Sequence, residues 1–201
     1  MYFIGITGGV GAGKSEVLRI LNAREDTKVL LADEVAHLLM EKGQPCYQKI
    51  LEAFPGEALL SEDGSFDRQQ LAKIIFSDEK KRAIVNGIVH PAVKQYVVDA
   101  VEEERRKGEL LFFFFEAALL IEEHYDAICD ELWYIYTDEG IRRVRLKASR
   151  GYSDEKITQI LASQKSDAQF RAVCKEEINN NGTTEELENK ISDVLRRKIH
   201  E

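Results

Sequence analysis

Residues 8–15, Gly8-Gly9-Val10-Gly11-Ala12-Gly13-Lys14-Ser15, constrain this chain more than any other segment. They fit G-x-x-x-x-G-K-[ST], and the flanks are those the pattern requires. Tyr2 to Thr7 reads as a buried strand opening the chain, and Val17, Leu18 and Leu21 fall at helical spacing after the loop. A strand, a glycine-rich turn and a helix in that order bring several backbone N–H groups to one point at the positive end of the helix. That arrangement suits phosphate. Lys14 adds a charge for the β- and γ-phosphates, and Ser15 offers a hydroxyl to Mg²⁺. A nucleoside triphosphate is the expected ligand.

Further apolar runs recur at wide intervals: 28–32, 110–115, 132–136 and, more weakly, 177–179. Helical patterns separate them, which predicts a doubly wound α/β domain around a parallel sheet. The gap from Asp33 to Gly108 exceeds one crossover helix and holds helical segments over 34–41, 45–54, 67–76 and 90–106. It reads as a helical insertion (34–108) carrying acceptor contacts. A charged helical stretch over 138–174 reads as a lid, leaving 1–33, 109–137 and 175–201 as the nucleotide-binding core. The tail from Thr184 to Ile199 predicts an amphipathic helix, with Thr183 and Glu186 spaced as a capping box.

The bulk numbers narrow the partners. A length of 201 residues with 44% hydrophobic and 32% charged residues fits a globular protein with one well-buried core. A net charge of −8 argues against nonspecific binding to nucleic acid or an anionic membrane. Cys46, Cys129 and Cys174 are far apart and odd in number, matching neither a disulfide framework nor a zinc spacing, so reduced thiols are expected. The opening strand begins at residue 2 and no run is long enough to span a bilayer. The cytoplasm is the expected compartment, with a monomer or weak homo-oligomer acting on small molecules.

A triphosphate loop alone serves kinases, GTPase switches and motor ATPases. Asp33 closes the second apolar run and would project from the carboxyl end of a neighbouring strand, where ligands of open parallel sheets bind. There it could take the proton from an attacking hydroxyl. The same position also suits an N-cap for a helix beginning at Glu34. Arg142, Arg143, Arg145, Lys147 and Arg150 crowd into nine residues of the lid. One or two could close over the transferring phosphoryl group, while the remainder form a solvated face. No Asn-Lys-x-Asp motif for reading guanine is present.

At this point the chain resembles the dephospho-coenzyme A kinase family over roughly 180 residues. Gly5 to Ser15 is similar to that family's opening, including Thr7 before the glycines. Ala32-Asp33-Glu34 with Ala36-His37, Asp63 to Arg68 with Leu71 and Phe76 to Asp78, the pair His90-Pro91, Arg145-Leu146 with Gly151-Tyr152-Ser153, and Asn179 to Gly182 follow in the family's order. The resemblance implies a three-layer sandwich around a five-stranded parallel sheet, with a helical substrate-binding insertion and a helical lid. It implies transfer of the ATP γ-phosphate to the ribose 3′-hydroxyl of dephospho-coenzyme A. On this chain Gly11, Ala12, Gly13, Lys14, Ser15 and Glu16 would hold the ATP phosphates, with Thr7 at the base of the loop and Asn181 and Gly182 near the adenine. Lys14, Asp33 and Arg145 would be catalytic. Ser15, and Glu116 through water, would hold Mg²⁺, and Asp33 with His90 would meet the acceptor.

The chain departs from the family pattern at four places. Leu31 replaces an acid, Glu16 a threonine, and Ser149 an arginine, with Arg150 one step along; Glu116-Ala117-Ala118 lacks a proline. Two rival readings are a kinase of nucleoside monophosphates and a nucleotide-binding regulatory switch without an acceptor.

Overall fold

The computed structural model describes residues 1–200. Its five strands are β1 (Tyr2–Thr7), β2 (Thr27–Leu31), β3 (Phe112–Glu116), β4 (Glu131–Tyr136) and β5 (Glu176–Asn179). They form one parallel sheet in the order β2-β3-β1-β4-β5, flanked by helices. The opening strand is therefore central, and the chain runs first to one side of it and then to the other. The register places Ile6 beside Glu116, Thr7 beside Tyr134, and Tyr136 beside Asn179. Those carboxyl-terminal positions share one edge of the sheet, at the point where the strand order reverses.

A parallel sheet covered on both faces tolerates apolar residues at consecutive positions. This accounts for Phe112, Phe113, Phe114 and Phe115, all without solvent exposure. Phe113 packs edge-on to Phe3 with centroids 5.7 Å apart, and Phe114 packs edge-on to Trp133 at 5.4 Å. Each such side chain contributes roughly 1.5–3 kcal/mol of burial.

The chain forms two compact units: Met1–Val29 together with the chain from Glu104 onward, and Leu30–Glu103. The second holds α2 (Ala32–Leu39), α3 (Pro45–Ala53), α4 (Arg68–Ser77) and most of α5 (Glu79–Lys107). Pro91 lies inside α5, so the helix continues where His90-Pro91 reads in sequence as a start or a break. Val85, Val89, Val93, Val97 and Val101 recur every fourth residue and are all buried. Losing one backbone bond at a helix-interior proline costs about 3 kcal/mol. Five buried valines outweigh that, at upwards of about 1.5 kcal/mol each.

The first unit holds α1 (Lys14–Asn22), α6 (Glu139–Arg150), α7 (Asp154–Ala162) and α8 (Asp167–Val173), and the closing helix α9 (Thr184–Ile199). The Thr183–Glu186 capping box is formed as expected. Cys46, Cys129 and Cys174 are free thiols, and burial pushes the Cys174 thiol up to about 12. Among the described residues, no helix is long and apolar enough to cross a membrane.

One buried ion pair ties α9 to the sheet. Lys198 Nζ donates to Glu131 Oε2 at 2.9 Å, and Trp133 Nε1 donates to Glu131 Oε1 at 2.7 Å. Removing one partner strands a charge in the interior, so Lys198→Met is expected to cost about 3–5 kcal/mol in urea unfolding. A loss below about 1 kcal/mol would assign the pair the worth of a surface contact.

Candidate active site

The loop after β1 turns at Gly13, whose backbone is left-handed (φ 85°). A side chain there would also collide with the Asn180 amide, so both the conformation and the space call for glycine. Gly13 is the N-cap of α1, and no side chain caps that helix. The Glu16 N–H turns back to the Gly13 carbonyl at 3.0 Å, which leaves the N–H groups of Lys14 and Ser15 at the helix start to face whatever enters the loop.

Lys14 Nζ donates to the Gly8 carbonyl at 2.9 Å and lies 3.6 Å from Glu116 Oε1. Both side chains are about four-fifths buried. Glu116 is therefore a partner of the loop lysine at the end of β3. Glu16 turns the other way: its carboxylate accepts from Arg19 Nη2 at 2.7 Å, and that hydrogen bond holds its carboxyl below the usual range. The repulsion that an acid at this position could exert on phosphate is thereby directed outwards.

The cations of α6 separate by helical phase. Arg142 Nε donates to the Val10 carbonyl at 2.9 Å, and its Nη2 donates to Gln164 Oε1 at 2.8 Å. Arg145 Nη2 donates to the Asn180 carbonyl at 2.9 Å, with Thr137 Oγ1 at 3.4 Å from Nη1. Arg143 pairs with Glu139 and Thr158, and Lys147 pairs with Asp154 on the exposed side. Arg150 lies over the Tyr152 ring at 5.9 Å, while the Ser149 hydroxyl donates to its own helix at the Arg145 carbonyl. Two of the five cations thus reach the phosphate loop or its floor.

That floor was not legible in the sequence. Thr137, just past β4, donates to the Ala12 carbonyl at 2.9 Å, and Asn180 Nδ2 donates to the same oxygen at 2.8 Å. Both residues are buried. A polar residue following an apolar strand at the carboxyl edge of the sheet is the signal that could have pointed to each. Thr7, also buried, ends β1 at the base of the loop. Asn181 accepts from the Asp138 N–H at 2.8 Å, and the Glu186 carboxylate of the capping box fills the space a side chain on Gly182 would need. No group of three or more His, Cys, Asp or Glu side chains is placed to hold a metal among the described residues. Ser15 and Glu116 supply hard oxygen donors, which suits an ion bound mainly by phosphate oxygens and water.

In the second unit, α2 starts at Ala32 with Leu31 as its N-cap, and no side chain caps it. Asp33 is exposed in the first turn, so the capping role that the sequence allowed is excluded. His90 sits in the middle of α5, in the same unit as Asp33.

A parallel sheet with a phosphate loop after its central strand and an arginine-bearing helical segment folded against that loop defines a P-loop kinase. A profile of the dephospho-CoA kinase family matches residues 2–186, and the chain belongs to that family. The dephospho-CoA kinase of Geobacter sulfurreducens is 37% identical across 99% of this chain and 100% of its own length. That of Shouchella clausii is 34% identical across 98% and 99%. Among solved structures, a Thermus thermophilus protein aligns over 98% of this chain and 97% of its own, with a TM-score of 0.75 at 26% identity.

Proposed function

We propose that this protein transfers the γ-phosphoryl group of ATP to the ribose 3′-hydroxyl of dephospho-coenzyme A, the closing step of coenzyme A synthesis. The observation that carries the reading is the uncapped start of α1 behind Lys14, in a chain whose family match runs from residue 2 to 186. Phosphoryl transfer needs positioning and charge neutralisation more than covalent chemistry. Backbone groups of Gly11 to Glu16 hold the phosphates, Lys14 neutralises the bridging and terminal oxygens, and Arg145 closes from the lid. Ser15, and Glu116 through water, would hold Mg²⁺, which when bound would neutralise charge on the phosphate oxygens. Asp33 accepts the proton of the acceptor hydroxyl, and His90 contributes to acceptor binding. Thr7 supports the loop, and Asn181 and Gly182 border the adenine.

We place the protein in the cytoplasm, where three free thiols stay reduced, as a monomer or weak homo-oligomer with small molecules as its only partners. A coupled assay of ADP release tests the reading. Release is expected to depend on dephospho-coenzyme A, with AMP and adenosine poor substitutes. Acceptor-independent ATP turnover would instead make the protein a nucleotide switch, and faster turnover on AMP would make it a nucleoside monophosphate kinase.

A further inference from the structure

Val10 is held at both of its backbone polar groups, which belong to two successive peptide units, by the lid. Its N–H donates to Gln164 Oε1 at 3.1 Å, and its carbonyl accepts from Arg142 Nε at 2.9 Å. The two side chains are joined to each other, Arg142 Nη2 to Gln164 Oε1 at 2.8 Å, so the three groups close a ring. Arg142 comes from α6 and Gln164 from the turn after α7, more than 130 residues from the loop they grip. The approach is close: a side chain at Gly9 would collide with the Arg142 guanidinium. Burial also lowers the pKa of that guanidinium, the mark of a cation withdrawn from water for a specific set of hydrogen bonds.

We propose that Arg142 and Gln164 form a two-sided clamp on the Val10 backbone that positions the first half of the phosphate loop, making them positioning residues for phosphoryl transfer. A guanidinium fork suits this task because one planar group reaches the carbonyl and the amide oxygen together. Gln164 suits it because its single oxygen accepts from both Val10 and Arg142. The clamp sets the curvature entering Gly11, and the loop amides beyond it are the groups aimed at phosphate. An error of about 1 Å in such a constellation costs on the order of 10²-fold in rate. The inference rests on the kinase reading for its kinetic test and stands apart from it for its structural one.

The kinetic test compares Arg142→Ala, Gln164→Leu and the double variant with ATP and dephospho-coenzyme A. Each single variant is expected to lower kcat about 10²-fold, with KM for ATP within about threefold, because Lys14 and the first-turn amides remain. The double variant is expected to lose no more than the worse single one, since either change opens the same ring. Arg142→Lys, which keeps one donor and loses the fork, is expected to fall between wild type and Arg142→Ala. Additive losses, or a rise in KM with kcat intact, would overturn the clamp and leave Arg142 a direct phosphate contact. Independently of activity, amide exchange at Val10 is expected to quicken at least about tenfold in Gln164→Leu, with α9 amides unchanged. Unchanged Val10 exchange would overturn the proposal even in an active enzyme. Quickened exchange in a protein without dephospho-coenzyme A turnover would keep the clamp and remove only the acceptor assignment.

Discussion

Lys14→Ala is expected to weaken ATP binding and slow turnover together, with kcat/KM falling by about 10⁴-fold. The charge-assisted hydrogen bonds that the ammonium gives to phosphate in the ground state are worth about 1.5–3 kcal/mol. A donor removed from where charge develops costs a further 2.7–4 kcal/mol or so. The structure adds a second cause. Lys14 lies 3.6 Å from the Glu116 carboxylate, so alanine removes one cation from beside that carboxylate. The triphosphate then meets repulsion as well as a missing attraction. Calorimetric titration with ATP and steady-state kinetics separate the two causes once Glu116→Gln is added. The double variant is expected to regain part of the affinity for ATP titrated without Mg²⁺ and almost none of the rate, because Glu116 is also proposed to hold Mg²⁺. If Lys14→Ala bound and turned over ATP like wild type, residues 8–15 would not be the phosphate site.

The parts of the fold that local chemistry dictates were readable from the chain. The loop was legible because its glycines, lysine and serine fall within eight positions, and the sheet because its strands are short apolar runs. Thr183 and Glu186 announced the cap of α9 for the same reason. What escaped depends on contacts between distant residues. Thr137 and Asn180 meet at the Ala12 carbonyl and at a direct hydrogen bond between them, and no spacing in the sequence foretells that meeting. Arg142 is an intermediate case. Positions 142, 145 and 149 flank the buried Leu146 on one side of α6, and 143, 147 and 150 flank it on the other, so helical phase groups the cations without saying which group meets the loop. That phase separates Arg142 and Arg145 from Arg143 and Lys147, where a count of five cations does not. Pro91 misled for a physical reason: its cost is local, whereas the valine stripe that carries α5 through it is spread over seventeen positions. Asp33 was singled out by its position, and the structure narrowed its roles by giving the N-cap to Leu31.

That narrowing makes Asp33→Asn the sharpest probe of the chemical step. The substitution keeps the size of the side chain and keeps an oxygen able to accept from an acceptor hydroxyl. It removes the charge and the capacity to take a proton. Turnover is expected to fall about 10²–10⁴-fold, the range for losing a positioned base, while the ATP dissociation constant stays within about twofold because Lys14 and the α1 amides are untouched. The transition state of phosphoryl transfer is loose, so the proton leaves late and orientation carries part of the effect. Asparagine preserves orientation, which places the loss towards the lower end of that range, and Asp33→Ala, which abolishes it, is expected to be worse by a further factor of about ten. Asn and Ala variants that lose equally would make Asp33 a pure proton acceptor. An Asn variant with kcat within a few-fold of wild type would move the base elsewhere in the unit that holds α2, and His90, mid-way along α5 in that same unit, would be the next residue to replace.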